Sequence, residues 1–161
     1  MIRLVKIILI VFVGLQGLFY FIANTLNFEY ALMAVEEILS QRDSPVYQNH
    51  IIPPITNPIL TKAALIAIMT GELLVGLISF KGALDLFAVR NASAEAFNNA
   101  KTYAILGCAM ALIVWFGFFT VIATALFQMW QGQVGAGSFQ GAFIYLGTSA
   151  FVMLFVNQPD R

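Results

Sequence analysis

Between Lys62 and Lys81 the chain reads AALIAIMTGELLVGLISF, and the only charge in that stretch is the carboxylate of Glu72. On a helix rising about 1.5 Å per residue the two lysines stand roughly 28 Å apart, close to the ~30 Å of a bilayer's hydrocarbon core. Their aliphatic stems can snorkel to opposite interfaces, which leaves Glu72 within a residue of the midplane. A carboxylate at that depth is costly, so the fold must turn it inward and give it a partner. Composition agrees with a membrane setting. The chain is 60% hydrophobic and 10% charged, where soluble domains average about 25% charged, and its mean hydropathy is +0.86.

Three further apolar stretches complete the pattern. We expect an all-α integral membrane bundle of four transmembrane helices in a single domain, with spans at about 2–23, 58–81, 102–128 and 139–156. The first has Arg3 and Lys6 ahead of an apolar run, as a secretory leader does. That run is about twenty residues long, beyond a typical leader core, and Tyr20, Phe21 and Ile22 stand where small cleavage-site residues would be. It reads as a retained span. In the second, Asn57 suits a helix N-cap and Pro58 the first helical position, and Asp85 follows Lys81 by one turn, within pairing reach. The helix can continue beyond Lys81 through Asp85 and Phe87. Pro159 stops the fourth.

The connectors are distinctive. From Asn24 to Asn57 the residues Phe28, Ala31, Leu32, Val35, Ile38 and Leu39 recur at helical spacing, with Glu29, Glu36 and Glu37 on other faces. This predicts a short amphipathic helix that either lies at the membrane surface or caps the bundle. Ser44-Pro45 marks a turn, and Pro53-Pro54 favours extended backbone. Arg90 to Lys101 reads as a turn and helix lead-in, and Gln131 to Gln140 as a Gly- and Gln-rich loop edged by Trp130. Lys and Arg gather at the amino terminus (Arg3, Lys6), in the second connector (Lys81, Arg90, Lys101) and at Arg161, which orients both termini to the cytoplasm and the long first connector outward. The Asn91-Ala92-Ser93 acceptor pattern then lies on the cytoplasmic side, where it carries no glycan.

Glu72 is the leading candidate for function. Gln16 lies about 15 Å beyond Lys6 on the first helix, near the same depth, and Thr148 and Ser149 match it on the fourth. Together they predict a polar midplane layer, with Glu72 hydrogen bonded to Gln16 or to the fourth helix. A structural carboxyl is the plain reading, with proton handling or partner recognition as the alternatives. The cluster Trp115, Phe116, Phe118 and Phe119 spreads around a full turn of the third helix and offers a surface to lipid, or to a pigment, a quinone or a partner subunit.

The other chemistry-bearing residues point nowhere specific. His50 is the only histidine and lies in the outward connector, so no span supplies an axial histidine for haem. His50, Asp43 and the Glu36-Glu37 pair have no recognisable metal-ligand spacing, and we expect no metal site. Cys108 has no basic neighbour in its helix to activate it. Gly132, Gly135 and Gly137 do not follow a strand, so they form no dinucleotide fingerprint. We therefore expect no catalytic residue, no cofactor and no enzyme, and with zero formal net charge no nucleic-acid partner.

Several segments together resemble a family of predicted small integral membrane proteins, common in proteobacteria, whose function is unassigned. They are Pro53-Pro54-Ile55-Thr56-Asn57-Pro58 with Gly71-Glu72, Ala96-Phe97-Asn98-Asn99-Ala100-Lys101, Trp115-Phe116-Gly117-Phe118-Phe119, Met129-Trp130-Gln131 and Phe155-Val156-Asn157-Gln158-Pro159-Asp160. The resemblance implies a four-helix protein of the bacterial inner membrane and no activity. The expectation is a non-catalytic accessory or scaffolding subunit of a larger respiratory or photosynthetic complex, partnered by lipid and other membrane subunits. A small transporter or proton-handling protein using Glu72 is the alternative.

Overall fold

A computed structural model describes residues 1–160. Helix α1 (Ile2–Leu26) passes directly at Asn27 into α2 (Phe28–Ser40), and α3 (Pro58–Ala88) returns. A short α4 (Ala94–Asn99) leads into α5 (Thr102–Leu112), which continues as a wide π-helical segment, Ile113–Leu126. One 3₁₀ turn (Met129–Gln131) precedes α6 (Gln133–Asn157). Among the described residues, four helical stretches are long and apolar enough to cross a bilayer: Ile2–Leu26, Pro58–Ala88, Ala94–Leu126 and Gln133–Asn157. The amphipathic α2 spans the residues its periodicity marked. Asn57 accepts from Ile59 N at 2.9 Å with Pro58 behind it, and Lys81 pairs with Asp85 at 2.5 Å, both as expected.

Three of the four helices run beyond their expected bounds, whereas the third ends at Leu126, two residues short of 128. α1 runs three residues past Ala23, which places Asn24 inside it. α3 continues past Lys81 through Asp85 and Phe87 to Ala88, as its sequence allows. α6 starts six residues before Phe139, although Val134-Gly135-Ala136-Gly137 is poor helix-forming sequence. Packing overrides propensity there. A side chain at Gly135 would overlap the main-chain carbonyl of Met129, so the glycine lets α6 begin hard against the 3₁₀ turn.

α3 is the central helix, between α1 and α5. Both interfaces rest on small residues, as expected where lipid supplies no hydrophobic drive and close backbone approach must do the work. A Cβ on Gly17 would lie 2.7 Å from the Glu72 carbonyl oxygen and from Val75 Cβ. Gly14 faces Ser79 and the Gly76 carbonyl from one turn lower. On the other side of α3, Gly82 sits on the backbone of Ala104, and Gly107 on Ser79.

The π-helical segment far exceeds the single wide turn usual in proteins. Its residues IVWFGFFTVIATAL are largely β-branched or aromatic, types that crowd an ordinary helical turn. Thr120 and Thr124 donate to the carbonyls of Trp115 (3.0 Å) and Phe119 (2.8 Å), each five residues back, and Phe127 N closes the segment on the Ile122 carbonyl.

The close α1–α3 approach predicts that Gly17→Ile forces the helices apart. Overpacking of this kind costs about 1–3 kcal/mol, and thermal unfolding in detergent should show it. Gly147→Ala, where an added Cβ meets nothing within 4 Å, should be neutral or slightly stabilising in the same assay.

Candidate functional site

Glu72 is turned into the bundle and is only 1% exposed. Its partner is neither Gln16 nor α6. The amide nitrogen of Asn24 donates to both carboxylate oxygens, at 3.1 and 2.9 Å. The physical reason lies in side-chain direction. Helical side chains lean toward their own N-terminus. α1 and α3 are antiparallel, so Glu72 leans toward the α2 end of the bundle and Asn24 leans back to meet it, although the Glu72 backbone stands beside Gly17. Gln16 leans the opposite way, toward the chain termini.

The expected single polar layer is therefore not formed. Gln16 is half-buried and its Nε2 has no partner among the described residues. Ser149 is buried with an unpartnered Oγ, whereas Thr148 is exposed and its hydroxyl bonds back to the Ile144 and Tyr145 carbonyls of its own helix. What α1 and α6 share instead is a hydrogen bond between the hydroxyls of Tyr20 and Tyr145. Both rings pack against Trp115, with centroids 6.2 and 5.6 Å away. Sequence reasoning missed this triad. The signal available was two tyrosines within apolar spans, since a buried phenol usually finds a hydrogen-bond partner.

The aromatic cluster divides accordingly. Trp115 is a core residue, 2% exposed, and offers no surface to lipid or to a partner, contrary to expectation. Phe116 projects outward, 52% exposed. Phe118 and Phe119 are half-buried and line a cleft of about 330 Å³ bounded by α2, α3 and the π-helical segment, with Met129 and Ser138 at its far side. Asn24 also lines it. His50 is half-buried in the long connector, with an unpartnered Nδ1. Cys108 is buried in the core.

A second polar centre lies at the opposite end of the bundle, where both termini meet. Asp160 accepts from Lys6 at 2.6 Å and from Lys101 at 2.7 Å, and all three side chains are nearly inaccessible. The two ammonium groups also share the Gln158 carbonyl, at 2.7 Å each. Asn98 clasps the Asp160 backbone in both directions, donating to its carbonyl at 3.1 Å and accepting from its amide at 2.9 Å. Arg3 stacks over Phe97 and donates to the carbonyls of Arg90 and Ala92, which pins α1 to the second connector. Burial pushes the Asp160 carboxyl up, but hydrogen bonds from Lys101 and Lys6 outweigh it and hold the group below its ordinary range. Two of the sequence segments quoted above, Ala96–Lys101 and Phe155–Asp160, thus meet in one charge cluster.

Four spanning helices, a carboxyl sealed between two of them and a charged clamp at one end define a multi-pass integral membrane bundle. The chain belongs to the family described as predicted small integral membrane protein (DUF2165), whose model matches residues 2–159. Comparison with curated proteins and with solved structures gives no significant match.

Asn24→Leu leaves a buried carboxyl without its donor and should cost about 1–3 kcal/mol, read as a lower midpoint of thermal unfolding. Gln16→Leu removes an amide that is already unpaired and should change that midpoint little. Asp160, lowered in the folded chain, stabilises the fold above the ordinary carboxylate pKa. That contribution is lost as pH falls through its lowered folded value. Asp160→Asn should therefore destabilise the protein at pH 7 and flatten its acid-side stability profile, measured by unfolding midpoints between pH 7 and pH 3.

Proposed function

We propose that the protein is a non-catalytic accessory or scaffolding subunit of a larger respiratory or photosynthetic assembly in the bacterial inner membrane, with both termini cytoplasmic. The observation that best supports this is uneven coverage of the spans. Only 17% of the apolar window of α6 is buried within its own bundle, against 28% to 39% for the other three. Phe143, Ile144, Phe151 and Leu154 project from α6, a broad apolar face suited to a neighbouring subunit. Glu72, Tyr20 and Tyr145 inside the bundle are engaged in hydrogen bonds that hold it together. Arg3, Lys6 and Lys101 gather at the end where the termini meet, which supports the cytoplasmic orientation. Proton handling by Glu72 is supported less, because both of its oxygens already accept from Asn24.

Purification of the tagged chain from native membranes under mild detergent tests the proposal. We expect stoichiometric recovery of a larger complex, and a photo-crosslinker placed at Phe151 should capture one of its subunits. Recovery only as a free homo-oligomer overturns it. Proton flux in liposomes that Glu72→Gln abolishes would establish proton handling instead.

A further inference from the structure

Two arginines converge on one turn of main chain. Arg90 follows the end of α3, and its Nη1 donates back to the Phe87 carbonyl at 2.8 Å. Its guanidinium lies over the Phe87 ring, 3.9 Å from the centroid. Arg3 reaches the same turn from α1. Its Nη1 donates to the Arg90 carbonyl at 3.1 Å and to the Ala92 carbonyl at 2.7 Å, and its guanidinium lies over Phe97. Carbonyls at and just beyond a helix C-terminus form a negative pole that attracts cations. Each arginine is thus fixed by one nitrogen and one aromatic face. Their Nε and Nη2 groups make no hydrogen bond among the described residues.

Both arginines are short of a counter-ion. Lys81 pairs with Asp85, and Lys6 and Lys101 share Asp160 at 2.6 and 2.7 Å. Arg3 reaches that already shared carboxylate only at 4.0 Å. Arg90 and the exposed Glu95 form no ion pair among the described residues. Two guanidiniums held on one turn repel each other, and an anion within reach of both offsets that repulsion.

Location and chemistry select the anion. The paired N–H groups of a guanidinium match the oxygens of a phosphate. Arg3 stands in the first turn of one span and Arg90 just past the end of another, which is headgroup level. Basic sites at such helix ends hold anionic headgroups. Leu4 and Ile8 on α1 and Leu84 and Phe87 on α3 are exposed within two turns of the arginines, a surface on which acyl chains can lie. Inorganic phosphate has the same oxygens but gains nothing from that surface. A choline lipid carries its own cation beside the phosphate, which the two arginines repel.

We propose that the corner between the start of α1 and the end of α3 binds the phosphate of an anionic phospholipid, gripped by the uncommitted guanidinium edges of Arg3 and Arg90. The arginines are already ordered, so binding the lipid costs little further side-chain freedom. The site requires no role in a larger assembly and can be tested on the full chain alone.

The test is native mass spectrometry of the full chain, delipidated in mild detergent and titrated with dioleoylphosphatidylglycerol, with dioleoylphosphatidylcholine as the reference. A basic residue near an anionic headgroup is worth about fivefold in affinity, so the first phosphatidylglycerol should bind roughly tenfold or more tightly than phosphatidylcholine. Arg90→Gln should weaken phosphatidylglycerol binding about fivefold with helical circular dichroism unchanged. Arg90→Lys keeps the charge but loses the paired nitrogens. It should lose part of that affinity, and it carries the comparison if Arg90→Gln fails to fold. Arg42→Gln, at the opposite end of the bundle, should change nothing. Equal affinity for the two lipids overturns the proposal, as does full affinity in the folded Arg90 variants or an equal loss in Arg42→Gln. Displacement of phosphatidylglycerol by millimolar inorganic phosphate overturns the lipid as occupant and leaves a free-anion site.

Discussion

A carboxyl group between two membrane helices persists only if something inside the protein meets it, and here that something is a single asparagine amide. The bond from Asn24 to Glu72 requires α1 and α3 to stand very close, and Gly14, Gly17 and Gly76 make that approach possible. The same approach sets α3 as the central helix, with Gly82 and Gly107 repeating the device against α5. The polar tie and the small-residue seams are mutually dependent. Loosening the seam lengthens the hydrogen bonds, and removing the amide leaves an unmet carboxyl that no water is at hand to solvate.

The two ends of the bundle are held by different physics. At the end where the termini meet, three cationic side chains surround Asp160, and Asn98 fixes its backbone, so helix α1, the start of α5 and the last residues before Arg161 are joined by charge. At the α2 end the ties are weaker and mostly main-chain. Ile55 N bonds the Leu39 carbonyl at 2.8 Å, and Gln131 Oε1 accepts from the amides of Val46 and Tyr47 at 2.8 Å each. Tyr47 packs edge-on against Trp130. The cleft opens at this less tightly bound end, between the amphipathic helix and the spans. An apolar helix resting on low alanine walls leaves more room than interlocked core side chains would.

Much of this architecture is legible from residue order. The spans, the amphipathic α2, the Asn57-Pro58 start of α3, the Lys81–Asp85 pair and the inward turn of Glu72 follow from hydropathy, periodicity and the cost of burying charge. What did not follow was the partner of Glu72. Matching residues by depth along the helix axis points to Gln16, because Cα height ignores the lean of side chains toward the helix N-terminus. Ending α1 at Ala23 also moved Asn24 out of the helix and out of consideration. Trp115 was misplaced for a related reason. In an ordinary helix the cluster from Trp115 to Phe119 spreads all round, and residue order does not say which of its members meets Tyr20 and Tyr145. Lys6 and Lys101 were visible only as markers of sidedness and Asp160 only as part of the closing segment, since their convergence joins residues more than 50 positions apart.

The sequence by itself determined that this chain crosses a membrane four times and must hide one carboxyl in doing so. Those properties depend on composition and spacing along one dimension, and the bilayer selects on them directly. The tertiary structure alone decided which groups meet: Asn24 with Glu72, Tyr20 with Tyr145, and Asp160 with two lysines. Each pairing depends on helix separation, relative direction and side-chain lean, quantities that exist only once the helices have packed.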